Sequence, residues 1–104
     1  MTLIKLLTSM ISKIKRLRDK RYLVHVRQQA CLACRRPWAG DAHHIMFAEP
    51  AAMSMKVSDN WVVPLCRNCH HDLHMAGNEK HFWEAVDRDP IAWATSQWKE
   101  WSNA

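Results

Sequence analysis

Leu3, Leu7, Met10, Ile14 and Leu17 recur at spacings of four and three, with Ile4 and Ile11 beside them. That period predicts an amphipathic helix of about five turns. Its polar side carries Lys13, Lys15, Arg16, Arg18 and Lys20. The stripe is too short for a coiled coil, so it is expected to dock on the chain's own core or on a second copy. "RYLVHVRQQ" fits both a strand and a helix, and the spacing of Tyr22, Val26 and Ala30 favours the helix. "RRPWAG" is a turn signal, and "DAHHIMF" after it is a short strand. Residues 48–60 show no period and read as a loop. "WVVPLC" is a second strand whose Pro64 belongs at an edge or an end. A short helix over 68–75 is stopped by Gly77 and Asn78. Two more helices follow in "EKHFWEAVD" and "DPIAWATSQWKEW", the second with Asp89 as N-cap and Pro90 at its first position.

At 104 residues and 48% hydrophobic content, this pattern suits one small folded domain helped by a staple. No apolar run approaches the roughly 18 residues of a membrane span, so no membrane partner is expected. The apolar opening is interrupted by Lys5, is followed by its basic cluster and lacks a small-residue cleavage site. A cytoplasmic protein is therefore expected. Charge changes the picture more. Residues 1–36 hold ten of the fifteen basic residues and one of the ten acids, whereas the remainder is net acidic. Such an arm suits a nucleic-acid backbone, where each neutralised phosphate releases counterions. A solvated helix face fits the charge equally well.

All four cysteines fall into CxxC pairs, Cys31/Cys34 and Cys66/Cys69. Two such knuckles complete a tetrahedral Zn²⁺ site. A thioredoxin-like motif would need a flanking strand–helix unit and would not come twice. Disulfides suit a chain with an export signal. Structural zinc is the expectation.

The histidines need a separate explanation. His70 and His74 stand four apart on an expected helix, so both leave one face and form a metal clamp. His71 with His74 is a less well aligned alternative. One of the adjacent strand histidines, His43 or His44, makes a third ligand and leaves coordination positions open, as catalytic metals require. The other then lies near the metal, where imidazole is the side chain best suited to act as a general base at neutral pH. Taken singly, each histidine would read as a surface or packing residue, as His25 and His81 do.

"DAHHI", "DNWVVPLC" and "CHHDLH", in this order, resemble the HNH (His-Me finger, ββα-metal) endonuclease superfamily, and in particular its phage and prophage branch that includes Ref-like nucleases. Those proteins carry a CxxC, an HH pair, a Gly/Met/Lys-rich loop, a "PLC" strand and an HxxxH helix. The resemblance runs from about Tyr22 to Trp98 and implies a small α+β fold: a ββα-metal (HNH) core stapled by the four-cysteine zinc knuckle, with an N-terminal amphipathic helix and C-terminal helices. It divides the chain into a basic arm, 1–21, and a nuclease domain, 22–104. It implies DNA phosphodiester hydrolysis with His43, His70 and His74 as ligands of one catalytic divalent metal. His44 becomes the general base and Asn60 the residue that orients it. Many relatives have Asp at the His43 position, and a third imidazole here admits Mg²⁺, Mn²⁺, Ni²⁺ or Zn²⁺. Lys13, Lys15, Arg16, Arg18, Lys20, Arg21 and Lys56 are the expected DNA contacts. The resemblance also admits a recombinase filament on DNA as a partner. The rival expectation is a non-catalytic zinc-binding DNA-binding module. An adaptor using the Trp-rich tail ranks behind it, because Trp83, Trp93, Trp98 and Trp101 are expected to close the core.

Overall fold

The computed structural model describes residues 16–50 and 56–104. Asp19 caps helix α1 (Lys20–Arg27) by accepting a hydrogen bond from the Tyr22 N–H at 3.0 Å. Tyr22 and Val26, four apart, form its buried face. The chain then runs through the first CxxC to Gly40, whose positive φ of 95° turns it into β1 (Asp41–His44). β1 pairs antiparallel with β2 (Val62–Leu65), so that His43 faces Val63 and His44 faces Val62 across the ladder. Pro64 sits inside β2, tolerable because this sheet has two strands. Its carbonyl instead accepts from Leu32 at 2.9 Å, tying the first knuckle to the sheet.

Cys66 directly follows β2 and caps α2 (Arg67–Met75), its sulfur accepting from the Cys69 N–H at 3.5 Å. Gly77 ends that helix in the left-handed region, φ 76°. α3 (Glu79–Ala85) starts at the Asn78 cap, and α4 (Pro90–Ser102) at the expected Asp89–Pro90 cap.

A two-stranded sheet is marginal alone and needs packing on its faces. One cluster joins Val63, Leu65, Cys31 and Cys66 to Leu73 of α2 and to Phe82 and Trp83 of α3. A second joins Val62 to Tyr22 and Val26 of α1, closed by Trp93, Trp98 and Trp101 of α4. The tryptophans of the tail therefore do close the core. Among the described residues no helix is long and apolar enough to cross a membrane.

The expected helix over Leu3–Leu17 lies mostly outside the described residues, as do Lys13 and Lys15. Its described end differs from expectation. Residues 16–19 are not helical, because Asp19 is in extended backbone (φ −146°, ψ 93°) to cap α1. The arm–domain boundary expected at 21/22 thus falls inside α1. Residues 16–19 form a strap on the segment before β2. Leu17 N–H donates to Ser58 Oγ at 3.1 Å, and the Leu17 carbonyl accepts from Asp59 at 2.8 Å.

The same strap engages two of the expected DNA contacts within the protein. Arg16 is nearly buried, paired with Glu49 at 3.0 Å and bonded to the Pro50 carbonyl. Arg18 turns inward to the carbonyls of Val57 and Lys56 and to Asp59. A guanidinium whose donors already face protein carbonyls and carboxylates has little left for phosphate. Arg18, Lys20, Arg21 and Lys56 are nonetheless exposed.

Candidate metal centres and the histidine site

The four cysteine sulfurs lie within 4.8 Å of one another. Cys34 Sγ and Cys66 Sγ are 3.7 Å apart, against the about 3.8 Å edge of a tetrahedron with Zn–S bonds of ~2.3 Å. All four are free thiols, not disulfides. Their acidities diverge as neighbouring thiols dictate. Burial pushes Cys31 upward, but backbone hydrogen bonds from Cys66, Cys34 and Ala33 outweigh it and bring it down to about 7. Burial and then the sulfurs of Cys66, Cys34 and Cys31 push Cys69 far upward. Four thiolates this close need a cation to coexist. The donor set fits a metal such as zinc.

The second cluster is His43, His70 and His74, whose donor nitrogens also lie within 4.8 Å of one another. His43 Nδ1 and His70 Nε2 are 3.2 Å apart, matching the about 3.3 Å expected for two ligands at ~2.0 Å on a tetrahedral ion. His43 is buried, His70 half-buried and His74 exposed, so the cluster opens to solvent on one side. A cleft of about 250 Å³ lies there, lined by His74, Met46 and the Gly77–Glu79 turn. His71 is exposed and outside this group of three.

Carboxylates stand behind these rings. His43 turns its other nitrogen, Nε2, to Glu79 Oε2 at 3.0 Å, and His70 turns Nδ1 to Asp41 Oδ2 at 3.0 Å. Such partners fix the tautomer, aim the free nitrogen and raise its basicity. Glu79 is itself held by Trp83 Nε1 at 3.0 Å and by the Met46 N–H at 3.1 Å. Burial raises its carboxyl, but the bonds from His43 and Trp83, with the His43 charge, hold it below the usual carboxylate range.

Alternation along β1 sends His44 to the opposite face, outside the ligand set. There its Nε2 meets Asp59 Oδ1 at 2.8 Å. Asp59, not the expected Asn60, orients this ring, and Asn60 makes no side-chain hydrogen bond among the described residues. The reason is the strap: the Asp19 N–H donates to Asp59 Oδ2 at 2.8 Å and Arg18 approaches Oδ1 at 3.4 Å, fixing the carboxylate. Burial raises Asp59, yet the His44 bond, the Asp19 N–H and the charges of His44 and Arg18 keep it below the ordinary range. With Nε2–H committed to Asp59, Nδ1 of His44 is the acceptor. The sequence reading missed Asp41, Asp59 and Glu79. Only Asp41 left a signal, because it stands two residues from His43 on one strand face.

The protein is thus a small α+β domain with a two-stranded sheet, a tetrathiol cluster and a three-imidazole cluster. The chain matches the family described as "Protein of unknown function (DUF968)" over residues 8–95, and belongs to it. It is similar to the "Uncharacterized protein YdfU" of Escherichia coli (strain K12), 36% identical over 64 residues. That match covers 62% of this chain and 18% of the relative, so the chain spans about a fifth of that relative's length. No solved structure matches.

Proposed function

We propose that this chain is a metal-dependent endonuclease of HNH type, phage- or prophage-derived, that hydrolyses DNA phosphodiester bonds. The observation that carries the reading is the three-imidazole cluster open to solvent, with His44 beside it in sequence and set on its own carboxylate. His43, His70 and His74 would hold one divalent ion, with Glu79 and Asp41 fixing two of the rings. When bound, that ion supplies stabilisation of negative charge on the phosphate and its leaving oxygen. His44 Nδ1 accepts the proton of the attacking water. Asp59 keeps the ring in the required tautomer and stabilises the imidazolium that forms. The tetrathiol knuckle pins α2, which carries His70 and His74, to the strand that carries His43.

Plasmid nicking by the metal-depleted histidine site, titrated with Mg²⁺, Mn²⁺, Ni²⁺ and Zn²⁺, tests this directly. His44→Ala is expected to retain metal and DNA binding while slowing cleavage ~10²–10⁴-fold. His74→Ala is expected to weaken the metal, with partial rescue by excess ion. Absence of metal-dependent cleavage by the parent on any DNA would transfer the histidines to the non-catalytic zinc-binding module.

A further inference from the structure

The first cysteine knuckle carries a feature that stapling does not use. Trp38 is 70% exposed, whereas the other five tryptophans are buried or half-buried. Its backbone stands at φ 56°, a left-handed conformation that bulky residues rarely adopt. Arg35 in the same loop stands at φ 67°. Both ends of the loop are fixed. Cys31 and Arg36 are tied at 2.9 Å, Arg35 and Cys31 at 2.8 Å, Ala39 and Gln29 at 2.9 Å, and Gly40 and Arg27 at 3.0 Å. The indole is thus held outward by the backbone. It has no hydrogen-bond partner among the described residues.

The surroundings are basic. Residues 27–40 contain Arg27, Arg35 and Arg36 and no acid. Arg67 joins them, because it follows Cys66, whose sulfur lies 3.7 Å from that of Cys34. All four arginines are exposed, and none pairs with a carboxylate among the described residues. An outward aromatic ring on a loop carrying exposed arginines without carboxylate partners is complementary to a polyanion that offers flat apolar faces. Duplex DNA offers only base edges in its grooves, whereas an unpaired strand offers the faces.

We propose that the knuckle loop binds single-stranded DNA, with Trp38 stacking on an unpaired base and Arg35, Arg36 and Arg67 on its phosphates. The inference rests on the reading that this chain acts on DNA, and it names the form of the substrate. The platform's residues belong to the knuckle and include none of the three clustered histidines.

The test is fluorescence anisotropy of labelled oligo-dT and of a labelled blunt duplex, with the full zinc-loaded chain and no added divalent metal. Oligo-dT should bind more tightly than the duplex and quench tryptophan emission. Trp38→Ala should weaken oligo-dT binding about tenfold or more and leave the duplex nearly unchanged. Trp38→Phe should retain most of the affinity. Trp38→Gly suits the positive φ, so it should be at least as stable as the parent while losing the same binding. Paired removal of Arg35 and Arg36 should lower the salt dependence by about 0.7 per lost contact. Unaltered oligo-dT binding in the folded Trp38→Ala and Trp38→Gly variants would overturn the proposal, as would failure of the parent to bind oligo-dT, which would point to a protein partner. Parallel plasmid nicking separates the two readings. Nicking with Trp38-independent oligo-dT binding removes the platform alone, and Trp38-dependent binding without cleavage removes the nuclease alone.

Discussion

His43 and His44 are chemically identical neighbours, and different carboxylates set them in different surroundings. His43 is backed by Glu79 and points its free nitrogen at His70, while His44 is backed by Asp59 on the other face of β1. Replacing one oxygen of each carboxylate with an amide nitrogen distinguishes the two proposed roles. Glu79→Gln should weaken divalent-metal binding at the histidine cluster about 10–100-fold, read by calorimetric titration. Asp59→Asn should leave that affinity near the parent's and, on the proposed nuclease reading, reduce cleavage instead, because the amide cannot stabilise an imidazolium on His44. Asn60→Ala should do neither. Equal loss of metal in both carboxylate variants would merge the two sites. The histidines were legible because HH and HxxxH are local patterns. Their carboxylates were not, since Glu79 and Asp59 stand 36 and 15 residues from their rings and only the folded chain brings them there.

At the scale of elements, Cys66 links three parts: it ends β2, caps α2 and completes the tetrathiol cluster. Cys66→Ser retains a good capping oxygen, so its effect isolates the metal. It should lose zinc and much of its helical circular dichroism, given that structural zinc supplies on the order of 10 kcal/mol of folding free energy in small domains. A variant that stays folded without zinc by elemental analysis would show that the hydrophobic clusters suffice. α4 was fully legible, because Asp89 and Pro90 write its start in the sequence; the Asp89 side chain accepts from the Ala92 N–H at 3.0 Å. Asp89→Ala should cost about 1 kcal/mol, a drop of about 4–8 °C in Tm for a domain of this size. The strap was misread for the opposite reason. Leu17 continues the apolar period, yet Asp19 two residues later demands a cap, and the cap stops any helix from running through it.

At the scale of the whole molecule, the strap joins α4 to the segment that carries Asp59 beside His44. Asp19 receives the Trp101 indole N–H at 3.1 Å, its own N–H reaches Asp59, and Arg16 pairs with Glu49, which also accepts from the Ser58 hydroxyl at 3.1 Å. Burial raises the Glu49 carboxyl, but the bonds from the Ser58 backbone and side chain and from Arg16 hold it below its ordinary value. Asp59 is depressed as well. A carboxyl depressed on folding contributes stability that is fully present above its unfolded pKa, near ~3.9 for Asp and ~4.3 for Glu, and is lost as pH falls through the folded value. Stability should therefore drop steeply below about pH 4. Protonating the knuckle thiolates adds to that drop, so the strap's share is read by difference. Glu49→Gln should lower stability at pH 7 by about 1–2 kcal/mol, and this deficit against the parent should shrink as pH falls below 4, because the parent then loses the same charge. Urea unfolding of both proteins from pH 7 to pH 3 gives the comparison. A deficit that stays constant over that range would mean that Glu49 acts by packing alone, and that the strap is not held by its charge.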